Sequence, residues 1–434
     1  MELAIGDAYG AAFEYVPGQV VAEYNTVTEY CRHPTHTGIE RGHYTDDTQM
    51  TLALAESLVD GDEWTPLALA DRFVDVFHRD PRVGYAGRFH AFLQDVTSGQ
   101  EFLARIQPES DKSGAAMRVS PVGLLDSVDE VRARAALQAR ITHDTPGGVA
   151  SAEAAALAVH YCHHRLGPLP DVRRWISDVT GVDWTRPWRG KVGAKGEMAV
   201  AAALTALSSA DSLTSLLRAC VAFTGDVDTV ATIAMAAAAR TPEVARDLPH
   251  ELFQGLENGV YGRRYLLLLD RRLLSAVAPP VRDPAELIGA WTDGSLYLGA
   301  MEDESVVFAA DGTGARVVAN LGGEDVAPFR WTLDGPGRVL VDGEPRAVRI
   351  GPGTTATDDE VTVLTLGNDH FAAMARQYEQ VVLSRGVPAD GVAPGTIGWV
   401  VDVHGNPPGL EVEVVGADGE TRWLGAVGPG DVER

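Results

Sequence analysis

The run SAVAPPVRDPAE, residues 275–286, divides the chain into two textures that do not belong to one fold class. Pro279 and Pro280 offer no backbone N–H and clash with a preceding helical turn, so a helix must stop before them. Upstream, TLALAESL, ASAEAAALAVHYCHH, GEMAVAAALTALSSA and TVATIAMAAAAR carry apolar residues at helical spacing, with alanine and leucine dominant. Several are alanine-rich on all sides, which predicts close packing inside a large helical bundle. Downstream, SLYLGA, SVVFAA, ARVVAN, FRWTLD, RVLVDG and VTVLTL alternate with a period of two and are separated by turn signals such as ADGTG, DGPG and VDGE. That pattern predicts a small antiparallel β-domain. HFAAMARQYEQVVLSRG (370–386) reads as one helix ending at Gly386. In LEVEVV, Leu410, Val412 and Val414 share one face and Glu411 and Glu413 the other, which predicts a second, smaller β-unit built as a five-stranded barrel. The expected organisation is therefore a helical domain over 1–275, a β-rich domain over 286–386 with a terminal helix, and a small β-unit over 392–434.

Bulk properties weigh against several roles. The formal net charge of −25 disfavours general nucleic-acid binding, which needs a basic surface. An acidic chain still binds anions through backbone N–H groups, helix N-termini or metal ions. Cys31, Cys162 and Cys220 are far apart and show no disulfide or zinc spacing, which fits a reducing cytoplasm. MELAIGDAYG lacks the basic and apolar regions of a signal peptide, and no apolar run is long enough to span a membrane. A cytoplasmic protein without membrane association is expected.

The chemistry lies in three acidic stretches. HYTDDTQM (43–50) sets Asp46 and Asp47 between two threonines just ahead of an apolar helix. FTGDVDTVATIAMAAAA (223–239) sets Asp226, Asp228 and Thr229 before another, and GDAYGAAFEYVPG adds Asp7 and Glu14. Taken alone, TDDT reads as a helix cap, because Asp and Thr favour that position and acidic first turns complement the helix dipole. GDVDT reads equally well as cap or ligand set. Taken together, Asp46, Asp47, Asp226, Asp228, the hydroxyls of Thr45 and Thr229, and Glu14 make an all-oxygen cluster. Like charges at one buried point raise each other's pKa, so such a cluster calls for hard divalent cations: Mg²⁺, or Mn²⁺ or Ca²⁺ with looser geometry.

With these motifs in view, the chain resembles the ADP-ribosylglycohydrolases, relatives of ADP-ribosylarginine hydrolase, of ADP-ribosylserine hydrolase and of the glycohydrolase that reactivates dinitrogenase reductase. GDAYGAAFE, YTDDTQM, SGAAMRVSPVGL, THDTPGG and GDVDT occur in that family's order over about residues 1–270. The resemblance implies an all-α orthogonal helical bundle with a binuclear Mg²⁺ (or Mn²⁺) centre. It also implies hydrolysis of the glycosidic bond at C1″ of ADP-ribose, releasing it from a modified target, most simply a protein. By the same resemblance Thr45, Asp46, Asp47, Asp226, Asp228 and Thr229 are metal ligands. Asp46, Asp47, Asp228 and Glu14 are the candidate catalytic groups. Ser113, Gly114, Ala115, Met117 and Arg118 form the loop that cradles the diphosphate and distal ribose, and His143 lies near the phosphates. The chain departs from the family pattern in that Thr224 replaces a glycine before the second acidic motif, Val227 replaces a polar residue inside it, and DKSGAAMR replaces a common Asn-Gly form.

Other readings remain open at this stage. A catalytically decayed ADP-ribose-binding sensor would keep the fold and lose turnover, and a related hydrolase would act on another nucleoside or glycoside. RGKVGAKG (189–196) lacks the Walker spacing and reads as a solvated loop that borders the cleft. HYCHH (160–164) lacks a second cluster to complete a zinc site and reads as packing and surface. GTIGWVVDVHG resembles the start of small SH3-like β-barrels, and LIGAW with its hairpins resembles a lipocalin-like half-barrel.

Overall fold

The computed structural model describes residues 1–297, 302–320, 323–355, 360–376, 379–387, 390–405, 408–415, 420–428 and 431–433. It divides into two compact units, Met1–Val277 and Ala278–Arg434. The first unit is helical, and the second is built from antiparallel strands. The all-α description therefore holds for the first unit and not for the chain.

Helix Val227–Ala238 is the axis of the first unit. All of its residues are buried, which is why VATIAMAAAA is apolar around its whole circumference. It packs against helices Glu2–Ala11, Pro146–His163, Gly196–Leu207 and Leu213–Ala222. The approach of Glu2–Ala11 depends on Gly10, where a Cβ would fall 2.5 Å from the Asp228 Cα. The glycines of GDAYG thus let one helix press directly on the backbone that carries a candidate ligand. Several surrounding helices start in the ordinary way. The side chains of Thr65, Ser98, Ser127, Thr145 and Ser212 each accept a hydrogen bond from a backbone N–H in their own first turn. Among the described residues no helix is long and apolar enough to cross a membrane. The three cysteines are free.

In the second unit, β1 (Gly289–Thr292), β2 (Glu302–Phe308), β3 (Thr313–Asn320), β4 (Gly323–Leu333), β5 (Arg338–Val341), β6 (Glu344–Thr354), β7 (Glu360–Leu366) and β8 (Asp369–Arg376) form a closed barrel. Each strand pairs with its sequence neighbour, and β1 closes the ring on β8. Trp291, Phe308, Trp331, Val348, Leu364 and Phe371 belong to its core. The barrel is closed rather than half-open. A five-stranded sheet follows in the order β12 (Thr421–Val427), β11 (Pro408–Val415), β10 (Thr396–Gly405), β9 (Gln380–Leu383), β13 (Val432–Glu433).

The structure corrects the helix expected over 370–386, which is instead β8 and β9, with residues 377–378 lying outside the described residues. Phe371 and Ala373 belong to the barrel core, whereas Ala375 joins the core of the second sheet. A strand buried on both faces shows a continuous apolar run, and here alanines fill it, so its period of two disappears. The stretch SLYLGA is also not a strand where it is described. Ser295–Tyr297 form a turn, and 298–300 lie outside the described residues.

Candidate functional site

The N-terminus of helix Asp46–Asp60 departs from the ordinary capping pattern. Thr45 is its N-cap, yet the Thr45 side chain accepts no bond from the helix. The cap comes from another helix. Asp7, buried within Glu2–Ala11, accepts from the backbone N–H groups of Thr45 (2.9 Å) and Thr48 (3.0 Å) and from their hydroxyls (2.7 and 2.6 Å). A carboxylate at a helix N-terminus also meets the positive end of the dipole. The expectation that TDDT is itself the cap is therefore corrected: Asp46 and Asp47 sit in the first turn, and neither closes it. Because the Thr45 proton goes to Asp7, the lone pairs of that hydroxyl remain free for a ligand role.

Helix Val227–Ala238 repeats the arrangement. Its N-cap is Asp226, whose side chain likewise accepts no capping bond. The loop before it is held by a segment read from the sequence as solvated. Val192 N–H donates to Thr224 O (2.9 Å) and Asp226 N–H donates to Val192 O (3.2 Å). Two residues on, Ser113 N–H donates to Ala194 O (3.1 Å), and the Ser113 hydroxyl donates to Asp226 Oδ2 (3.1 Å). Segment 192–196 thus joins the second acidic loop to the Ser113 loop. Thr224 adopts φ 65°, a conformation that glycine takes without steric penalty and threonine does not. This gives the Gly-to-Thr departure a concrete local consequence.

The acidic side chains converge. Carboxylate oxygens of Glu14, Asp226 and Asp228 lie within 4.8 Å of one another. Asp46 and Asp47 join the same field, each raised further by the charge of Asp226. Burial is the first cause that pushes Asp46, Asp47 and Asp228 well above the carboxylate range, with neighbouring carboxylates next. Glu14 is pushed up to about 7 by burial and then by Asp226 and Asp7. The Thr229 hydroxyl serves both Asp47 and Asp226. Asp47 Oδ1 and Asp228 Oδ1 are buried with no hydrogen-bond partner among the described residues. Buried carboxylate oxygens without donors are strongly unfavourable unless protonated or matched by a cation. The donor set is all oxygen, so it fits a hard divalent ion.

The cluster forms one wall of a cavity of about 770 Å³. Glu14, Asp46, Asp47, Asp226, Asp228 and Thr229 line it on this side. Ser113, Gly114, Met117, Arg118 and His143 line it as well. Ala115 packs instead against Ala139 and Ala152 and gives its carbonyl to Gln138 Nε2 (3.0 Å). Arg118 is buried; its Nε donates to Gln138 Oε1 (2.7 Å) and its Nη2 to Gln138 O (3.0 Å) and Thr142 Oγ1 (2.9 Å). Its guanidinium also lies 4.5 Å from the Phe73 ring centroid. Two further residues, with no site motif of their own, shape the wall. Asp7 is one, as the external cap. Gly84, at φ 109°, leaves room that a Cβ would deny, since it would fall 2.1 Å from Asp46 Oδ1. An isolated glycine in PRVGYAG (81–87) offers no sequence signal for such a contact; Asp7 offers one, because a carboxylate on an apolar helix face needs donors.

Comparison with known proteins follows the same lines. The family model for ADP-ribosylglycohydrolase matches residues 3–281. ADP-ribosylhydrolase ARH3 of Mus musculus is 32% identical over 168 residues, 36% of this chain and 45% of that protein. ARH3 of Homo sapiens is 32% identical over 176 residues, 36% of this chain and 46% of that protein. An uncharacterised protein of Archaeoglobus fulgidus is 30% identical over 164 residues, 36% of this chain and 52% of that protein. The chain spans about half the length of the curated relatives it matches. A solved structure described as an ADP-ribosylglycohydrolase-related protein complex matches with a TM-score of 0.49 at 23% identity, covering 64% of this chain and 95% of that one. Since the family model covers well over half of the residues, the chain belongs to the ADP-ribosylglycohydrolase family.

Proposed function

We propose that the chain is a metal-dependent hydrolase that cleaves the glycosidic bond at C1″ of ADP-ribose and releases ADP-ribose from a modified target, a protein in the first instance. The observation that carries this reading is the meeting of two distant acidic motifs, around Asp46 and Asp228, on one wall of a cavity whose lining includes Ser113, Gly114 and His143. Thr45, Asp46, Asp47, Asp226, Asp228 and Thr229 hold the ions in this account, two Mg²⁺ or Mn²⁺, with Glu14 beside them. Bound cations there supply Lewis acidity and make nearby water a stronger nucleophile. The chain's own residues do the rest. The Ser113–Met117 segment receives the diphosphate at its Gly114–Ala115 start, since the N–H groups of Ser113, Ala116 and Met117 are spent on Ala194 O and Ser113 O, and the acidic wall faces the proximal ribose. One of Asp46, Asp47 and Asp228 accepts the proton of the attacking water as oxocarbenium character develops at C1″. Asp46, Asp47, Asp226 and Asp228 are buried, so their fixed charges act at low screening.

The test is release of ADP-ribose from arginine-linked, serine-linked and nucleic-acid-linked substrates, with Mg²⁺ and with chelator. Turnover on at least one linkage that requires the ion is expected. Full activity of Asp228→Ala in chelator would sink the reading.

A further inference from the structure

The cavity holds a hydrogen-bond relay that leads from a buried cation to His143. Arg118 Nη2 donates to Thr142 Oγ1 at 2.9 Å, and Thr142 Oγ1 lies 2.7 Å from His143 Nδ1. A guanidinium only donates, so it uses one lone pair of the hydroxyl. Thr142 is buried, and among the described residues its hydroxyl has no acceptor in the protein other than His143 Nδ1. The threonine proton therefore goes to Nδ1. That nitrogen is then an acceptor, and the ring proton sits on Nε2. Arg118 is itself locked by Gln138, with the side-chain oxygen at 2.7 Å and the backbone oxygen at 3.0 Å. Opposite the ring is Gly114, where a Cβ would stand 3.2 Å from Nε2 and 3.0 Å from Cε1. The missing side chain keeps the Nε2 edge reachable from the cavity.

We infer that Arg118 and Thr142 are positioning residues that hold His143 as a neutral Nε2–H donor, presented past Gly114 to an oxygen acceptor of the bound nucleotide. The inference rests on the ADP-ribose reading for the identity of that acceptor, a phosphate or ribose oxygen, but not for the relay. Burial and the nearby Arg118 charge also lower the His143 pKa to about 3, so the ring stays neutral at physiological pH. This assigns Arg118 a role different from direct phosphate contact. It acts through Thr142, and its Nε and Nη2 donors stay in the fold.

The test uses the full chain labelled with ¹⁵N-histidine, with the His143 signals identified by their loss in His143→Gln. Long-range ¹H–¹⁵N correlation at pH 7 should show Nε2 protonated and Nδ1 bare. Thr142→Val should shift both nitrogens toward a tautomer average and weaken ADP-ribose binding by roughly 2- to 12-fold, the loss of about one hydrogen bond. Thr142→Ser should restore both. A wild-type ring protonated at Nδ1 or at both nitrogens, or a Thr142→Val ring with an unchanged tautomer, overturns the relay. If wild-type chain with Nε2–H in place fails to bind ADP-ribose, the ligand assignment falls and the relay stands.

Discussion

The helical unit contains two kinds of helix start. At Thr65, Ser98, Ser127, Thr145 and Ser212 the N-cap side chain bonds its own first turn, as an isolated helix would require. At Asp46–Asp60 and Val227–Ala238, where the residues are among the best cappers known, the side chains at the cap accept no backbone N–H of their own helix. Asp7 performs the task for the first of them from a different helix. The difference shows what a site requires of a sequence that looks merely structural. Capping by Thr45, Asp46 or Asp47 would turn their oxygens toward their own backbone. Capping from outside leaves the Asp46 and Asp47 carboxylates facing the cavity, and partner-free oxygens at Asp47 and Asp228 are the residue of that choice.

Substitutions at the two kinds of start should therefore differ in what they damage. The largest effect is expected at Asp228→Asn, which should lower kcat on the order of 10³-fold or more while the chain stays folded, as circular dichroism would verify. Next comes removal of the cation. Ion at about 100 times its Kd should stabilise the chain by about 2.7 kcal/mol in thermal unfolding. That gain should shrink as pH falls below about 7. Glu14 has a raised pKa in the metal-free fold, so its protonated form favours the folded state at low pH, and this contribution is lost as pH rises through about 7. Above that point the cation takes over, and below it protons compete. A metal-dependent shift that grows on acidification would contradict the cluster's electrostatics.

Asp7→Asn should follow, costing about 2 kcal/mol in denaturant unfolding, because an amide cannot accept all four donors. It should also weaken ion binding by disturbing Asp46 and Asp47. Thr65→Ala is the smallest expected effect and the control: about 1 kcal/mol lost with ion binding intact. Equal damage to ion binding in both variants would remove the distinction between the two kinds of helix start.

Much of this was legible in the residues. The boundary at Pro279 marks the end of helical periodicity, and the units divide at Val277 and Ala278. The acidic motifs carry weight only together: TDDT alone reads as a helix cap, whereas four aspartates at one buried point call for cations. What stayed hidden has two physical causes. Alanine is small enough to sit on either face of a strand or around a whole helix, so β8 and helix Val227–Ala238 give similar apolar runs and only tertiary contact separates them. Roles that depend on a distant partner also leave no local trace. Asp7 as a cap for Thr48, Gly84 as space for Asp46, and Val192 as a brace for Asp226 all arise from contacts far apart in sequence.

The central claim is that the carboxylates freed from capping hold divalent cations. Mn²⁺ titration of the full chain, read by electron paramagnetic resonance, tests it most directly. The account predicts saturable Mn²⁺ binding in the wild-type chain and in Thr65→Ala, with loss in Asp228→Asn and weakening in Asp7→Asn. A wild-type chain that leaves millimolar Mn²⁺ free, or an Asp228→Asn chain that binds it unchanged, would contradict the account.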